Sequence, residues 1–242
     1  MTSVRPDDLL RLLRSGDAAR PRLIWHAPGE RIELSGRVLA TWAAKAADLL
    51  QEDLDAGPSA RVLLACPPHW RLAAWALGTW VVGATVATED GDPGEFTVVV
   101  TAGDRANDFV SRGTDVVALT LAALARRSPI DLPSGVIDEA AVLNTYADDV
   151  EPFDRADDDA LALVGSAEFT YTDLVGAGTD DRIHLSGSLP LDEVLRRACA
   201  AWAAGGSVVL TDPTWESAHG GDPAEGEFAR VLATEGVSAP GG

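Results

Sequence analysis

RVLLACPPHWRLAAWALGTWVVGATVAT, residues 61–88, decides the fold. Its opening run RVLLA is apolar without alternation and is stopped by Pro67-Pro68, as for a strand covered on both faces. HWRLAAWALGTWVV follows, apolar nearly all round, which reads as a helix packed on two sides. Trp70, Trp75 and Trp80 recur every fifth residue, a step of roughly 140° on a helix, so they form no single aromatic stripe. Gly83 lies at the helix end and TVAT is a second short strand. Strand, helix, strand in this compass implies a parallel pair joined by a right-handed crossover.

The same rhythm extends on both sides. GRVLATWAAKAADLLQEDL places Val38, Leu39, Trp42, Ala43, Ala46, Leu49 and Leu50 at helical spacing and is ended by AGPS. Before it, RPRLIWHAPGERIELS reads as an extended pair turning at Pro28-Gly29. MTSVRPDDLLRLLRSGD reads as an amphipathic helix with Leu9, Leu10, Leu12 and Leu13 on one side. Downstream, FTVVVTA is a strand, DRANDFVSRG a short helix, TDVVALTL a strand and AALARR a helical segment. Residues 132–159 are irregular and increasingly acidic, the natural linker, with Val136, Ile137, Val142 and Leu143 in need of a place to pack.

Beyond that linker ALALV and RIHLSGS are strands, and SVVLTDP is another. LPLDEVLRRACAAWAAGG is a helix that Asp192 can cap and Gly205-Gly206 stop. The remainder is mostly polar or Gly-rich, with EFARVLAT as a short helix and a frayed PGG tail. The expected fold is α/β, layered α/β/α with parallel-rich sheets. It divides into an N-terminal lobe over residues 1–150 and a second α/β portion over 157–242 packed on it, or forms one continuous domain.

Composition limits the partners. The 242 residues are 46% hydrophobic with mean hydropathy +0.05, ordinary for a globular chain, and carry a net charge of −19. A polyanion of this size is repelled by nucleic acid and by anionic membrane surfaces, which excludes both as partners. No apolar run approaches the roughly 18 residues of a membrane span. Asp and Arg break the N-terminal leucines, so no secretory signal is expected and the default compartment is the cytoplasm. Of the 19 basic residues Lys45 alone is a lysine. Arginine is a poor proton donor and no amine nucleophile, so lysine chemistry has one candidate. Cys66 and Cys199 sit in apolar surroundings and read as buried free thiols. CPPH, residues 66–69, has C-x-x-H spacing but no second pair of ligands nearby, so no metal is expected.

The remaining stretch to place is DDDALALVGSAEFTYTDL, residues 157–174. Residues 32–87 supply its context through Leu34-Ser35, Arg61-Val62, Pro67-Pro68 and Gly83-Ala84. With RIHLSGSLPLDEVLRRACAAWAAGGSVVLTD, they resemble the N-terminal portion of the AMP-binding superfamily, the adenylate-forming acyl-CoA synthetases. In that family a strand feeds a Ser/Thr/Gly-rich loop, ending in proline and lysine, that grips the ATP phosphates through backbone N–H groups, hydroxyls and the lysine charge. Aligned by order, Gly165, Ser166, Thr170 and Thr172 fall in that loop. The proline and lysine are missing, and Glu168 stands where a phosphate would approach. Lys45, in the middle of a helix, reads as a solvent-facing surface lysine. The resemblance further implies adenine- and magnesium-binding motifs and a C-terminal lid with a catalytic lysine, for which these residues leave no room. ATP and magnesium are therefore cofactors of the family by resemblance and not expected here, and no residue is assigned a catalytic role.

In a parallel sheet, ligands bind at the carboxyl ends of the strands. Asp173, His184, Ser186 and Ser188 could meet Ser166 there, although no G-x-S-x-G elbow supports a nucleophilic serine. GAGTDD, residues 176–181, lacks the spacing of a nucleotide fingerprint, and Asp157-Asp158-Asp159 reads as a solvated loop. The candidate ligand-binding set is Gly165, Ser166, Thr170, Thr172, His184 and Ser186. The expected function is that of a catalytically degenerate, non-adenylating binding or regulatory protein for a small acyl or nucleotide-like ligand. The alternatives are a half-enzyme of the acyl-CoA ligase type completed by a separate chain, and a self-associating structural subunit. A homodimer would cover apolar surface left by the missing lobes.

Overall fold

The computed structural model describes residues 4–89, 93–110, 114–123 and 125–238. The expected PGG tail and the end of the DRANDFVSRG helix lie outside these residues. In chain order, α1 (Leu9–Arg14) precedes the hairpin of β1 (Pro21–Ala27) and β2 (Glu30–Ser35). Gly29 turns that hairpin at φ +73°, a left-handed conformation that glycine adopts without strain. Then come α2 (Gly36–Glu52), β3 (Arg61–Ala65), α3 (Trp70–Val81), β4 (Thr85–Ala87), β5 (Val98–Ala102), α4 (Asn107–Val110) and β6 (Asp115–Leu119). The short β7 (Ile137–Asp138) and α5 (Glu139–Val142) lie within the stretch read as irregular. Last are β8 (Leu161–Val164), β9 (Glu168–Thr170), β10 (Arg182–Ser186), α6 (Leu191–Ala203), β11 (Ser207–Thr211), α7 (Pro213–Ala218) and α8 (Gly226–Thr234).

The strands form a seven-stranded sheet, ordered β7-β6-β5-β3-β4-β8-β9, and a four-stranded sheet, ordered β10-β11-β1-β2. All neighbours in the large sheet are parallel except β8 and β9. In the small sheet β10, β11 and β1 are parallel and β2 returns antiparallel. The sheets do not divide at the acidic stretch. The small one takes two strands from before it and two from after, and β8 and β9 join the large one, so both sheets draw strands from either side of residues 150–157.

The period of a strand explains the layers. Val62 and Leu64 of β3 join the main core with α2 and α3, whereas Leu63 and Ala65 pack on the opposite face with Phe96 and Phe109. The small sheet is likewise covered twice: Leu23, Trp25 and Leu210 enter the main core, and Ile24 and Val209 pack under Trp215, Phe228 and Leu232 of α7 and α8. Trp75 and Trp80 are fully buried, each contributing about 1.5–3 kcal/mol of burial or more. The Trp80 indole also donates to the Ala162 carbonyl at 2.7 Å, tying α3 to β8. A Cβ on Gly78 would lie 2.7 Å from the Ala43 carbonyl and 2.9 Å from the Ala47 amide, so small residues set the close crossing of α2 and α3.

Three local expectations are corrected. Lys45 is not a free surface lysine: its ammonium donates to the Tyr146 carbonyl at 2.6 Å and pairs with Asp148 at 2.7 Å. Leu124 of AALARR lies outside the described residues, and the others of that segment are not helical, carboxylates from elsewhere holding backbone amides in and beside it. The Ala123 amide donates to Glu30 at 3.0 Å, and just beyond, the Ser128 amide donates to Asp138 at 2.7 Å. Asp192 does not cap α6; Pro190 is the N-cap and Asp192 sits in the first turn. Among the described residues, no helix is long and apolar enough to cross a membrane.

Candidate functional site

The segment after β8 is a hairpin, with Val164 opposite Glu168. Gly165 opens the turn, and its N–H donates to Ala167 O at 3.1 Å. Crowding demands glycine there, since a Cβ would lie 2.5 Å from the Thr88 hydroxyl and 2.8 Å from the Asp192 Cβ. The Ser166 amide donates to Asp192 Oδ2 at 3.0 Å, and the Ser166 hydroxyl donates to the same oxygen. Asp192 is 4% exposed. Both Ser166 donors therefore face a carboxylate that the chain itself provides, delivered by the first turn of α6. Glu168 stands exposed at the start of β9.

Thr170 and Thr172 turn away from any common centre. The Thr170 hydroxyl donates to Asp173 at 3.0 Å, and the Asp173 amide donates back to it at 3.3 Å, closing the turn after β9. The Thr172 hydroxyl donates to the Asp158 carbonyl at 2.8 Å and fastens the acidic loop.

A second polar cluster lies at the carboxyl end of the small sheet. The register places Ser186 beside Thr211. The Thr211 hydroxyl donates to Glu216 Oε1 at 2.5 Å, and the Ser186 hydroxyl donates to Oε2 at 2.8 Å. Because Thr211 has one proton, its 2.8 Å contact with His184 Nε2 makes the imidazole the donor. Burial holds the His184 imidazole below its ordinary value, with Glu216 pulling it up and Arg197 pushing it down, which matches that neutral form. Ser186 has likewise given its proton to Glu216, so Ser188 donates across their 2.7 Å contact. The order of donors runs His184, Thr211, Glu216 on one side and Ser188, Ser186, Glu216 on the other. Thr211 is fully buried.

Next to this cluster, β1 ends against α7 and α8. His26 Nε2 lies 2.8 Å from Glu235, which also accepts from Arg31 at 2.7 and 2.9 Å. The Arg31 bond, against burial, holds the Glu235 carboxyl below its usual range. A cleft of about 460 Å³ separates the β1–β2 turn from α7, where the Trp215 and His219 rings stack at 3.9 Å.

Of the six residues chosen from sequence, the structure joins His184 and Ser186 through Thr211 and Glu216, and places Gly165 and Ser166 against Asp192. Asp173 pairs with Thr170 and not with His184. Among the described residues no serine or cysteine hydrogen-bonds an imidazole, so a Ser-His nucleophilic pair is not assembled. Thr211, Glu216 and the Asp192 contact were missed. The available signal was Asp212-Pro213, an N-cap with proline in the first turn, which marks α7 and brings Glu216 back over the strand end.

No family model matches the chain. A Mycobacterium tuberculosis protein described as a "TIGR03089 family protein" is 34% identical over 142 residues, 56% of this chain and 58% of that relative. Among solved structures, a Brucella canis acyl-CoA synthetase superposes with TM-score 0.74 at 19% identity, covering 98% of this chain and 47% of its own. A mutant coronafacic acid ligase from Pectobacterium brasiliense gives TM-score 0.67 at 12% identity, over 97% and 53%. The N-terminal domain of FACL13 from Mycobacterium tuberculosis gives 0.64 at 16%, over 85% and 56%. This chain thus spans about half the length of the proteins it resembles. At these identities the likeness is one of architecture: the chain has the fold of the N-terminal portion of the AMP-binding acyl-CoA synthetases and ligases.

Proposed function

We propose that this chain is a non-adenylating binding or regulatory protein on an adenylate-forming enzyme's fold. The observation that carries the reading is the occupation of both Ser166 donors by the Asp192 carboxylate. A triphosphate brought to this turn meets Asp192 and Glu168 without a lysine in the turn to offset them. Like charges about 4 Å apart cost about 4 kcal/mol at an effective dielectric of 20, or roughly a thousandfold in affinity. The ligand this reading leaves room for is a small acyl or nucleotide-like molecule at the carboxyl ends of the strands, next to His184 and Ser186. Titration calorimetry with ATP and magnesium, together with a pyrophosphate-release assay, tests it. The expected result is no binding tighter than millimolar and no pyrophosphate. Adenylate formation by the purified chain alone overturns it.

A second reading is favoured by coverage, since 98% of this chain matches only 47% of the Brucella canis synthetase. In it, the chain is one part of an acyl-CoA ligase whose adenine-binding and lid functions come from another polypeptide. Pyrophosphate release that appears only on mixing with a co-purified second chain supports this reading. Silence of the isolated complex counts against it.

A further inference from the structure

Away from the strand ends, a cavity of about 200 Å³ opens beside α2 and α5, lined by Trp42, Arg71, Arg126, Glu139, Leu143 and Asn144 among others. Its floor is an enclosed ion pair, Arg71 at 3% and Glu139 at 1% exposure. Arg71 Nη1 donates to both Glu139 oxygens, at 2.8 and 3.1 Å. The guanidinium is flanked by indoles, 5.4 Å from the Trp42 ring and 4.6 Å from the Trp70 ring. Its other donors are idle. Nε is enclosed without a partner, and Nη2 makes no bond among the described residues yet is not enclosed. A guanidinium has five N–H groups; the enclosed Nε donor is costly to leave unmet, whereas Nη2 is open to the cavity.

The mouth carries the complement. Arg126 is exposed and no described carboxylate pairs with it, in a chain of net charge −19 where acidic partners are abundant. Two guanidinium groups line the cavity against one carboxylate, with Asp138 acting on Glu139 from just outside the lining, so the donors that face the cavity suit one small anion. Trp42, Leu143 and the alanines Ala123, Ala125 and Ala140 supply an apolar wall. The volume lies below the roughly 300 Å³ at which drug-sized pockets begin, so the occupant is small.

We propose that this cavity binds a small monocarboxylate with a flat apolar body, its carboxylate accepting from Arg71 Nη2 and Arg126 and its body lying against Trp42. The site is separate from the crevice near His184, and it stands or falls independently of the reading under Proposed function. Benzoate, neutral benzamide and inorganic phosphate are the probes, titrated by calorimetry into the wild-type protein and Arg126→Gln. The Trp42 indole N–H resonance, assigned from Trp42→Phe, reports the location.

Benzoate is expected to bind saturably and to shift the Trp42 resonance. Arg126→Gln, an exposed change that leaves the floor intact, should weaken benzoate about tenfold, the effect of losing one charge-assisted bond. Benzamide and phosphate should each bind at least about tenfold less tightly than benzoate. The proposal is overturned by the absence of saturable benzoate binding, by unchanged affinity in Arg126→Gln, or by binding that leaves the Trp42 resonance in place. Benzamide as tight as benzoate removes the anion requirement, and phosphate as tight removes the carboxylate; either result overturns it too.

Discussion

Replacing Asp192 tests whether an internal anion holds the turn after β8. The carboxylate is almost enclosed and accepts from the Ser166 amide at 3.0 Å and from the Ser166 hydroxyl. Bonds to a charged group contribute about 1.5–3 kcal/mol each, and a carboxylate in the first turn of a helix adds about 0.3–1 kcal/mol. The two bonds share one oxygen and one serine, so they are not additive. Asp192→Ala is expected to cost about 2–4 kcal/mol, whereas Asp192→Asn keeps an accepting oxygen and should cost about half as much. Urea unfolding near neutral pH, followed by tryptophan fluorescence, reads the difference as a fall in midpoint with an unchanged slope. Ser166→Ala combined with Asp192→Ala should cost less than the sum of the two. If Asp192→Ala stays within about 0.5 kcal/mol of wild type, or the pair is additive, Asp192 does not hold the turn and the argument fails.

Three further outcomes follow from packing and titration. Gly78→Ala should destabilise by about 1–3 kcal/mol despite alanine's better helix propensity, because the methyl meets α2 backbone at 2.7 Å; a rise in melting temperature refutes the close crossing. Glu139→Ala strands Arg71 in the core and should cost about 3–5 kcal/mol in chemical denaturation, so a neutral result means the pair is hydrated. Burial and neighbouring Arg71 hold the His69 imidazole down at about 3, well below its free value. The folded chain therefore takes up this proton less readily than the unfolded one. His69 favours folding fully above about pH 6.5, and stability drains by about 1.4 kcal/mol per unit as pH falls toward 3. His69 Nδ1 also caps α3, accepting from the Arg71 amide at 3.2 Å. His69→Asn keeps a capping group and should flatten that slope in urea titrations between neutral and mildly acid pH; an unchanged slope assigns the loss to other groups.

Most of the layering was legible because its signals are local. RVLLA declares a strand covered on both faces by being apolar without alternation, and the split of Val62 and Leu64 from Leu63 and Ala65 realises it. What escaped depends on residues far apart in the chain. AALARR has the composition of a helix, but its Ala123 amide answers to Glu30, and the Ser128 amide just beyond answers to Asp138; no local pattern reports either. Lys45 looks like a surface residue until the 144–148 segment folds over it. The polar cluster shows the same division. The rule that crevices open at the carboxyl ends of parallel strands picked out His184 and Ser186. Thr211 and Glu216 entered only with the β10–β11 register and the turn into α7.

The turn after β8 sets two uses of the same donors against each other. A loop that grips phosphate must keep its N–H and O–H groups unmet until the ligand arrives, and unmet donors weigh against folding. Here the Ser166 donors are met in the folded chain by Asp192, which converts a capacity to bind into rigidity of the hairpin. The two uses exclude each other, because a donor committed to a nearly enclosed carboxylate reaches an external anion only after that carboxylate is moved. Asp192→Asn separates them. Removing the charge while keeping the shape should lower stability and, in the same protein, reduce the repulsion an incoming phosphate meets. A gain in ATP affinity without any loss of stability would show that the carboxylate repels phosphate but does not hold the turn. A loss of stability without a gain in ATP affinity would put the barrier to phosphate elsewhere, with Glu168 on β9 the next carboxylate to remove.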